Sequence, residues 1–511
     1  MSIGRFCRTP YFQPATVRRS ILFTTVLLSA ALPGAPAIDV SSVSYDSRAV
    51  RPGAAFVAIP RVPLDKPAGN HRDGHDYVAA AFAAGAVAAV VERPVNVPIP
   101  QVQVPSSRVA LAQIAAALRG HPAEALRLIG VTGTDGKTTT VRLVSQLLEA
   151  SGRATGFATT TDFKVAGRLW ENLSRETTIE APELQQLLGD MVAAGCGWAV
   201  LEATSQGLEQ ERLYGCRFHV AAFTNLTSDH LDWHKTMENY RAAKRRLFEN
   251  LRPDGVAVLN ADDPASAFFG EVVPGRSLTF GLADQGDVRA ANVRYSDQGI
   301  VFELRVSGSA REVVLPLLGR FNVQNALAAV GVGLAEGLSL DEVAAGLAQA
   351  RPAPGRMESI EAGQPFRVLV DYAHTAHAFA CVLAEGRAMA DALGSRLLVA
   401  FGCSGERDRA KRPAMGATAA QLANFFVLTD EDPHSEDPRQ IVREIEAGAG
   451  GGNYVVEMDR RAALARVFRE AQPRDVVLVT GKGHERSMIV AEDRRIPWDE
   501  RGIVRQELER L

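Results

Sequence analysis

Gly130-Val131-Thr132-Gly133-Thr134-Asp135-Gly136-Lys137-Thr138-Thr139-Thr140 is the segment from which the rest of the chain is read. Leu128 to Thr132 reads as a short buried strand, and Thr138 to Ala150 carries apolar residues at helical spacing. A strand, loop and helix of this kind aim successive backbone N–H groups and a helix N-terminus at an anion. Lys137 adds a mobile positive charge and Thr138 a hydroxyl ligand for Mg²⁺. The chemistry implied is nucleoside triphosphate binding. The common phosphate loop has four residues between its first glycine and the Gly-Lys pair. Counting from Gly133 leaves only Thr134 and Asp135, and counting from Gly130 leaves five. A glycine turn before an ordinary helix is the bland alternative, which Lys137 and the threonines at the helix start disfavour.

At 511 residues the chain is too long for one hydrophobic core, so several domains are expected. With Lys+Arg 56 against Asp+Glu 59 the net charge is −3, which gives no reason to expect a nucleic acid or a membrane surface as partner. Five cysteines without C-x-x-C spacing argue against a disulfide framework or a zinc ribbon and suit a reducing cytoplasm. Residues 1–37 resemble a secretory signal: Arg5, Arg8, Arg18 and Arg19 precede an apolar run from Ile21 to Leu32. An enzyme that uses ATP has little to work on outside the cell. The segment is therefore expected to be an N-terminal extension that merges into the first helix of the first domain.

Along the chain, short strands alternate with helices. Val43 to Tyr45, Ala55 to Ile59 and Ala86 to Val91 read as strands of a small unit spanning 38–121, with a helix at Tyr77 to Ala84. Asp46 and Asp73 fall where turn and cap residues belong. A central region, 122–351, has strands at Trp198 to Leu201, Val220 to Thr224 and Val256 to Asn260. The alternation predicts an α/β protein with a mostly parallel central sheet, whose ligands gather at the carboxyl ends of the strands. Glu202, and then Asn225, Thr227, Asp229 and His230, stand at two such ends, where carboxylate and imidazole could hold Mg²⁺. A third region, 352–511, has strands ending in Asp371-Tyr372-Ala373-His374, Gly402 to Arg407, Glu431-Asp432-Pro433-His434 and Gly481 to Glu485. Four charged strand tips describe one ligand crevice.

In these ordered segments the chain resembles the Mur ligases from about Val43 onward. The likeness rests on Asp46 to Arg48, the short phosphate loop, Glu202 to Leu208, Asn225 to Asp232, Tyr240 to Lys244, Phe321 to Ala326, Pro354 to Glu358, Asp371 to His374, Phe401 to Arg412 and Gly481 to Glu485. It also accounts for the loop spacing, which is similar to the family's Gly-Thr-Asn-Gly-Lys-Thr-Thr with Asp135 in place of Asn. The resemblance implies three domains: a small UDP-binding α/β domain, the central phosphate-loop domain and a C-terminal Rossmann-like domain that binds an amino acid. It implies ATP-dependent addition of a diamino acid to UDP-MurNAc-L-Ala-D-Glu through an acyl phosphate, carried out by a cytoplasmic monomer.

By the same resemblance, Gly133, Thr134, Asp135, Gly136, Lys137, Thr138, Thr139, Asn322, Asn325, Arg356 and Asp371 bind ATP. Ser47, Arg48, Thr177, Thr178, Thr204, Gln210 and Arg212 bind the UDP-sugar peptide. Arg407, Glu431, Asp432, Pro433, His434, Gly481 and Glu485 contact the amino acid. Lys137, Glu202, His230, Lys244, Arg356 and His374 are the expected catalytic set. Mg²⁺ would be held by Thr138, Glu202, His230 and a carbamylated Lys244, whose bland alternative is an exposed helix lysine beside Arg245 and Arg246. Gln206 departs from a usual His, Ala376-His377 from Pro-Asp, Ser404 from Gly, and Glu431 to His434 from the Asp-Asn-Pro-Arg of enzymes that add meso-diaminopimelate. His reproduces a bidentate Arg–carboxylate bond poorly, so L-lysine or L-ornithine is favoured. Folylpolyglutamate synthetase, the ligase half of cyanophycin synthetase and a catalytically silent UDP-sugar-binding homologue are the rival readings.

Overall fold

A computed structural model describes residues 25–511 apart from 62–71, 175, 284–285 and 297. The four arginines of the expected extension lie outside the described residues. The chain divides into two compact units, Met1–Gly130 with Ala154–His219 and Ala242–Arg252, and Val131–Arg153 with Val220–Arg241 and Pro253–Leu511.

In the first unit β1 (Val26–Leu27) pairs antiparallel with β2 (Asp39–Val40), and α1 (Leu28–Ala31) lies between them in the chain. A four-stranded parallel sheet follows: β3 (Ser42–Ser44), β4 (Ala54–Val57), β5 (Ala88–Val91) and β6 (Gln101–Gln103), with α2 (Val78–Ala83) and α3 (Ser107–Leu118). Leu28 and Leu32 are buried in one core with Val40, Val57, Val90 and Ile114, so from Leu28 onward the expected extension contributes to this core. Asp46 and Asp73 cap short turns, accepting from the N–H groups of Arg48 (2.9 Å) and His75 (3.0 Å).

The central elements are β7 (Arg127–Thr132), α4 (Lys137–Ala150), β8 (Thr155–Ala158), β9 (Asp162–Val165), β10 (Arg168–Glu171), α5 (Ala181–Ala193), β11 (Trp198–Glu202), α6 (Ser205–Glu209), β12 (Phe218–Phe223), α7 (Leu231–His234), α8 (Met237–Glu249), β13 (Leu251–Asn260), α9 (Ala265–Gly270), β14 (Arg276–Gly281), β15 (Val288–Ser296), β16 (Gly299–Val306), β17 (Ser309–Leu315), α10 (Phe321–Ala335) and α11 (Leu340–Leu347). The strand order is β10-β9-β8-β11-β7-β12-β13-β14-β15-β16-β17. The pairs β11–β8, β13–β14 and β14–β15 are parallel, as the alternation predicts. The antiparallel pairs β9–β10, β15–β16 and β16–β17 are additional. They escaped the sequence reading because their solvent faces carry charges such as Arg294 and Glu312, which dilute the apolar signal of a buried strand.

The C-terminal region holds β18 (Glu358–Ser359), β19 (Arg367–Asp371), α12 (Ala376–Leu393), β20 (Leu397–Phe401), α13 (Lys411–Leu422), β21 (Phe425–Leu428), α14 (Pro438–Glu446), β22 (Tyr454–Val456), α15 (Arg460–Glu470), β23 (Val476–Thr480), the hairpin β24 (Ser487–Val490) with β25 (Arg494–Pro497), and α16 (Glu500–Leu508). Its main sheet has the order β18-β19-β23-β20-β21-β22. Alternate residues feed opposite cores: Leu369, Val399, Phe401 and Leu478 pack with α12, α13 and α14, while Val370, Leu398, Ala400 and Val477 pack with α15 and α16. Burial of each large side chain contributes about 1.5–3 kcal/mol. All four expected polar strand tips therefore project from the carboxyl edge of one doubly covered sheet.

Candidate active site

Two glycines in the phosphate loop are set by contact. Gly133 has φ 151° and Gly136 φ 82°, and a Cβ would stand 1.9 Å from Thr224 Oγ1 at the first and 2.1 Å from Asn325 Oδ1 at the second. Gly130 does different work. Its missing Cβ lets Leu247 and Phe218 approach within 2.6 and 2.9 Å of where it would be, so it is a packing residue of β7. The short count from Gly133 is thus the one that describes the loop.

The loop is pinned to the end of β12. Thr134 N–H donates to Asn225 O (2.8 Å), Asp135 N–H to Asn225 Oδ1 (2.9 Å), Thr227 N–H to Thr134 Oγ1 (3.0 Å) and Thr224 Oγ1 to Asp135 O (2.6 Å). Lys137 Nζ reaches back to the carbonyls of Gly133 (3.1 Å) and Thr134 (2.7 Å), so its charge spans the loop at the start of α4, alongside Thr138 and Thr139. Asn322 and Asn325, both buried on the first turn of α10, bond to each other at 2.9 Å, and Asn322 Nδ2 donates to Leu318 O.

Beyond β12, His230 sits in the left-handed region (φ 53°) with Nε2 3.4 Å from Asp229 Oδ2. Burial works to raise the Asp229 carboxyl, but the charge of His230, the His230 N–H and the charge of Lys137 bring it below its usual range. Sequence reasoning placed Asp229 at this strand end, where carboxylate and imidazole could hold Mg²⁺, and left it out of the expected catalytic set.

From the C-terminal region, Asp371 accepts from the N–H groups of Met357 and Ala373, both at 2.7 Å, and so fixes the backbone beside Arg356. Burial pushes its carboxyl up in spite of Arg356 and those two donors. The Arg356 guanidinium lies 4.6 Å over the Tyr372 ring. Burial, then Lys411, lowers His374 to about 4, and its Nδ1 is 3.1 Å from Tyr372 O. His374 is therefore a neutral imidazole at pH 7.

At the amino-acid tips, Ser404 Oγ donates to Glu431 Oε1 (2.8 Å). Lys482, which sequence reasoning left without a role, is fully buried and bridges Asp432 Oδ1 (2.8 Å) and Glu485. Pro433 packs against Gly405, Gly481 has φ 103°, His434 stands at φ 50° with its N–H on Ile489 O (3.2 Å), and Arg407 is exposed.

In the first unit, the residues expected at the sugar peptide assemble around Thr178. Its hydroxyl donates to Glu202 O (2.8 Å) and accepts from Thr204 N–H (3.0 Å). Arg212 donates to Thr178 O (2.6 Å), to Gln210 Oε1 (2.9 Å) and to Glu176, and pairs with Glu180 at 3.1 Å. Thr177 and Thr160 share a hydroxyl bond of 2.9 Å, and Thr160 N–H donates to the buried Glu202 carboxylate at 2.9 Å. Glu176 and Glu180 were missed, because nothing local in the sequence distinguishes them from solvated charges. Ser47 and Arg48 occupy a capped turn where Arg48 faces solvent and pairs with Asp46, while the adjacent Tyr45 reaches Glu183 of α5 at 3.3 Å. Lys244 is 1% exposed, which overturns its reading as an exposed helix lysine.

Fold and loop define a P-loop nucleotide-binding α/β protein. Family profiles match along the chain: the Mur ligase middle domain at 131–333, the Mur ligase glutamate ligase domain at 355–483, and the Mur ligase family catalytic domain at 39–122. A UDP-N-acetylmuramyl-tripeptide synthetase of Roseiflexus sp. (strain RS-1) is 45% identical over 496 residues, 93% of this chain and 95% of the relative. A UDP-N-acetylmuramoyl-L-alanyl-D-glutamate–2,6-diaminopimelate ligase of Geobacillus thermodenitrificans is 41% identical over 475 residues, covering 91% and 94%. A solved 2,6-diaminopimelate ligase of the same description superposes with TM-score 0.66 at 33% identity, over 95% of this chain and 99% of the other. A folylpolyglutamate synthase of Mycobacterium tuberculosis, at 19% identity and TM-score 0.60, shares the fold. The chain belongs to the Mur ligase family and is an ATP-dependent ligase. Among the described residues no helix is long and apolar enough to cross a membrane.

Proposed function

We propose that this Mur ligase adds a diamino acid, L-lysine or L-ornithine in preference to meso-diaminopimelate, to UDP-MurNAc-L-Ala-D-Glu in the cytoplasm, acting as a monomer. The observation that carries the reading is that one compact unit joins the short phosphate loop to the buried Asp371 clamp and to four polar strand tips. A γ-carboxylate oxygen of D-Glu bonds to the γ-phosphorus of ATP as the bond to ADP breaks. The substrate amine then attacks the acyl carbon, phosphate leaves, and the nitrogen gives up a proton. The first step brings two anions together, and the second has a neutral amine attack an anionic acyl phosphate, so positioning and charge neutralisation dominate. Lys137 and Arg356 supply positive charge, and His374, neutral at pH 7, adds none.

The Thr138 hydroxyl and the buried Glu202 carboxylate are hard oxygen donors, which suit Mg²⁺. Mg²⁺ would neutralise phosphate charge, and the His230 imidazole is a further member of the expected donor set. A lysine as buried as Lys244 is costly as an ammonium, and carbamylation would turn it into an oxygen ligand. Density for a carboxylate on Lys244 Nζ in crystals is the check, and a bare ammonium with ATP bound would refute it.

His434 supports the preference among amino acids. Its backbone is held in the left-handed region, and an imidazole there cannot make a two-pronged bond to a carboxylate. ADP release measured with lysine, ornithine and meso-diaminopimelate in parallel tests the assignment; preference for the last overturns it.

A further inference from the structure

We propose that the β15–β16 hairpin is an arm that holds the C-terminal region in register with the phosphate loop, and that Tyr295 and Glu385 are the positioning contact of that arm. This role rests on the ligase reading above, in which Arg356 and His374 act at the phosphate loop. The hairpin belongs to the antiparallel addition to the central sheet, and none of the expected ATP, sugar-peptide or amino-acid residues lies on it.

Tyr295 stands one residue pair short of the end of the ladder, where Tyr295 faces Ile300 and Ser296 faces Gly299. Its phenol donates to the carboxylate of Glu385, 90 residues away on α12. Burial, then Glu385, pushes the phenol above its usual range, so it keeps its proton and is the donor. The Arg320 guanidinium lies 5.7 Å over the same ring. Tyr295, Leu318 and Phe321 also pack against the core that contains Phe379, Val382 and Phe401. A lone surface contact contributes little. Here one ring joins a hydrogen bond, a cation and apolar packing at a single point.

Both ends of the contact lead to the site. Arg320 is the N-cap of α10, whose first turn carries Asn322 and Asn325, and Asn325 Oδ1 fills the space that a Cβ on Gly136 would take. On the other side, α12 begins at Ala376, just after His374, with the Thr375 hydroxyl accepting from Ala378 N–H at 3.1 Å. Glu385 follows Cys381 by one helical turn, and burial, then the charges of Asp135 and Glu385, raise the Cys381 thiol. Helix α12 therefore passes the phosphate loop before it reaches the arm. Fixing Glu385 on Tyr295 fixes α12, and α12 sets where His374 stands. A displacement of about 1 Å at a reacting centre can cost on the order of 10²-fold in rate.

The test uses the full chain and two readouts. ADP release is measured with ATP, UDP-MurNAc-dipeptide and whichever of L-lysine, L-ornithine and meso-diaminopimelate the wild type accepts. The radius of gyration is measured by small-angle X-ray scattering without ligands. Tyr295→Phe and Glu385→Gln are each expected to lower kcat about tenfold, the worth of one hydrogen bond to a charged group, with a smaller change in KM for ATP. The double variant should fall no further than the lower single, because both substitutions remove the same contact. The radius of gyration should rise in each variant while the thermal midpoint is little changed, and Glu385→Gln alone carries the test if Tyr295→Phe does not fold. Unchanged kcat in the single variants, a double variant that loses the product of the two single effects, or a fall in kcat at unchanged radius of gyration overturns the proposal. Turnover of the wild type with none of the three acceptors overturns the function proposed above, and the scattering result then decides the arm by itself.

Discussion

The phosphate loop and the amino-acid crevice are built on opposite plans. In the loop, nearly every polar contact involves the backbone: Thr134 and Asp135 N–H groups on Asn225, Thr224 on Asp135 O, and Lys137 on two loop carbonyls. In the crevice the contacts run between side chains, with Lys482 on Asp432 and Glu485, and Ser404 on Glu431. A backbone cradle tolerates little change, because each glycine and each N–H is part of the geometry. A side-chain crevice can be rewritten one residue at a time. On the proposed function, the step with ATP belongs to the first and the choice of acceptor to the second.

Changes in the loop should therefore abolish turnover, and changes in the crevice should redirect it. Lys137→Ala is expected to lower kcat on the order of 10³-fold with little change in thermal midpoint, measured by ADP release and calorimetry. Equal turnover would mean that the loop contributes only its backbone. Arg356→Ala should cost about 10²-fold in kcat without unfolding, since Arg356 is held over the Tyr372 ring beside the Asp371 clamp. A pure KM effect would place it outside the chemical step. In the crevice, His434→Arg should shift preference toward meso-diaminopimelate by about tenfold in kcat/KM ratio, the worth of one charge-assisted bond.

The smallest effect concerns pH. His374 is lowered to about 4 in the folded chain, mainly by burial, so between that value and its unfolded value near 6.5 the unfolded chain binds more protons. Its contribution is present in full above pH 6.5 and is lost as pH falls toward 4. Chemical denaturation of His374→Asn should show a flatter decline across that window, and a slope identical to wild type would reject the assignment.

Much of the fold was legible because it is local. The strand at 127–132, the helix after Lys137 and the four C-terminal strands lie within a residue or two of where apolar runs and turn residues place them. The antiparallel additions β9–β10 and β15–β17 were not legible, since half-solvated strands carry mixed faces. The site was legible as residue types and their order. It was not legible as partners: Glu176 and Glu180 on Arg212, and Lys482 between two expected acceptor contacts, are pairings across the chain.

Sequence alone determined that Gly133 to Thr139 would be a phosphate loop between a strand and a helix, because backbone conformation and N–H direction are encoded by contiguous residues. Tertiary structure decided which glycine opens that loop, that Lys244 is buried, that Asp371 clamps the chain beside Arg356, and that Ser404 meets Glu431. Burial and contact between distant residues are properties of the packed whole, and no window of sequence contains them.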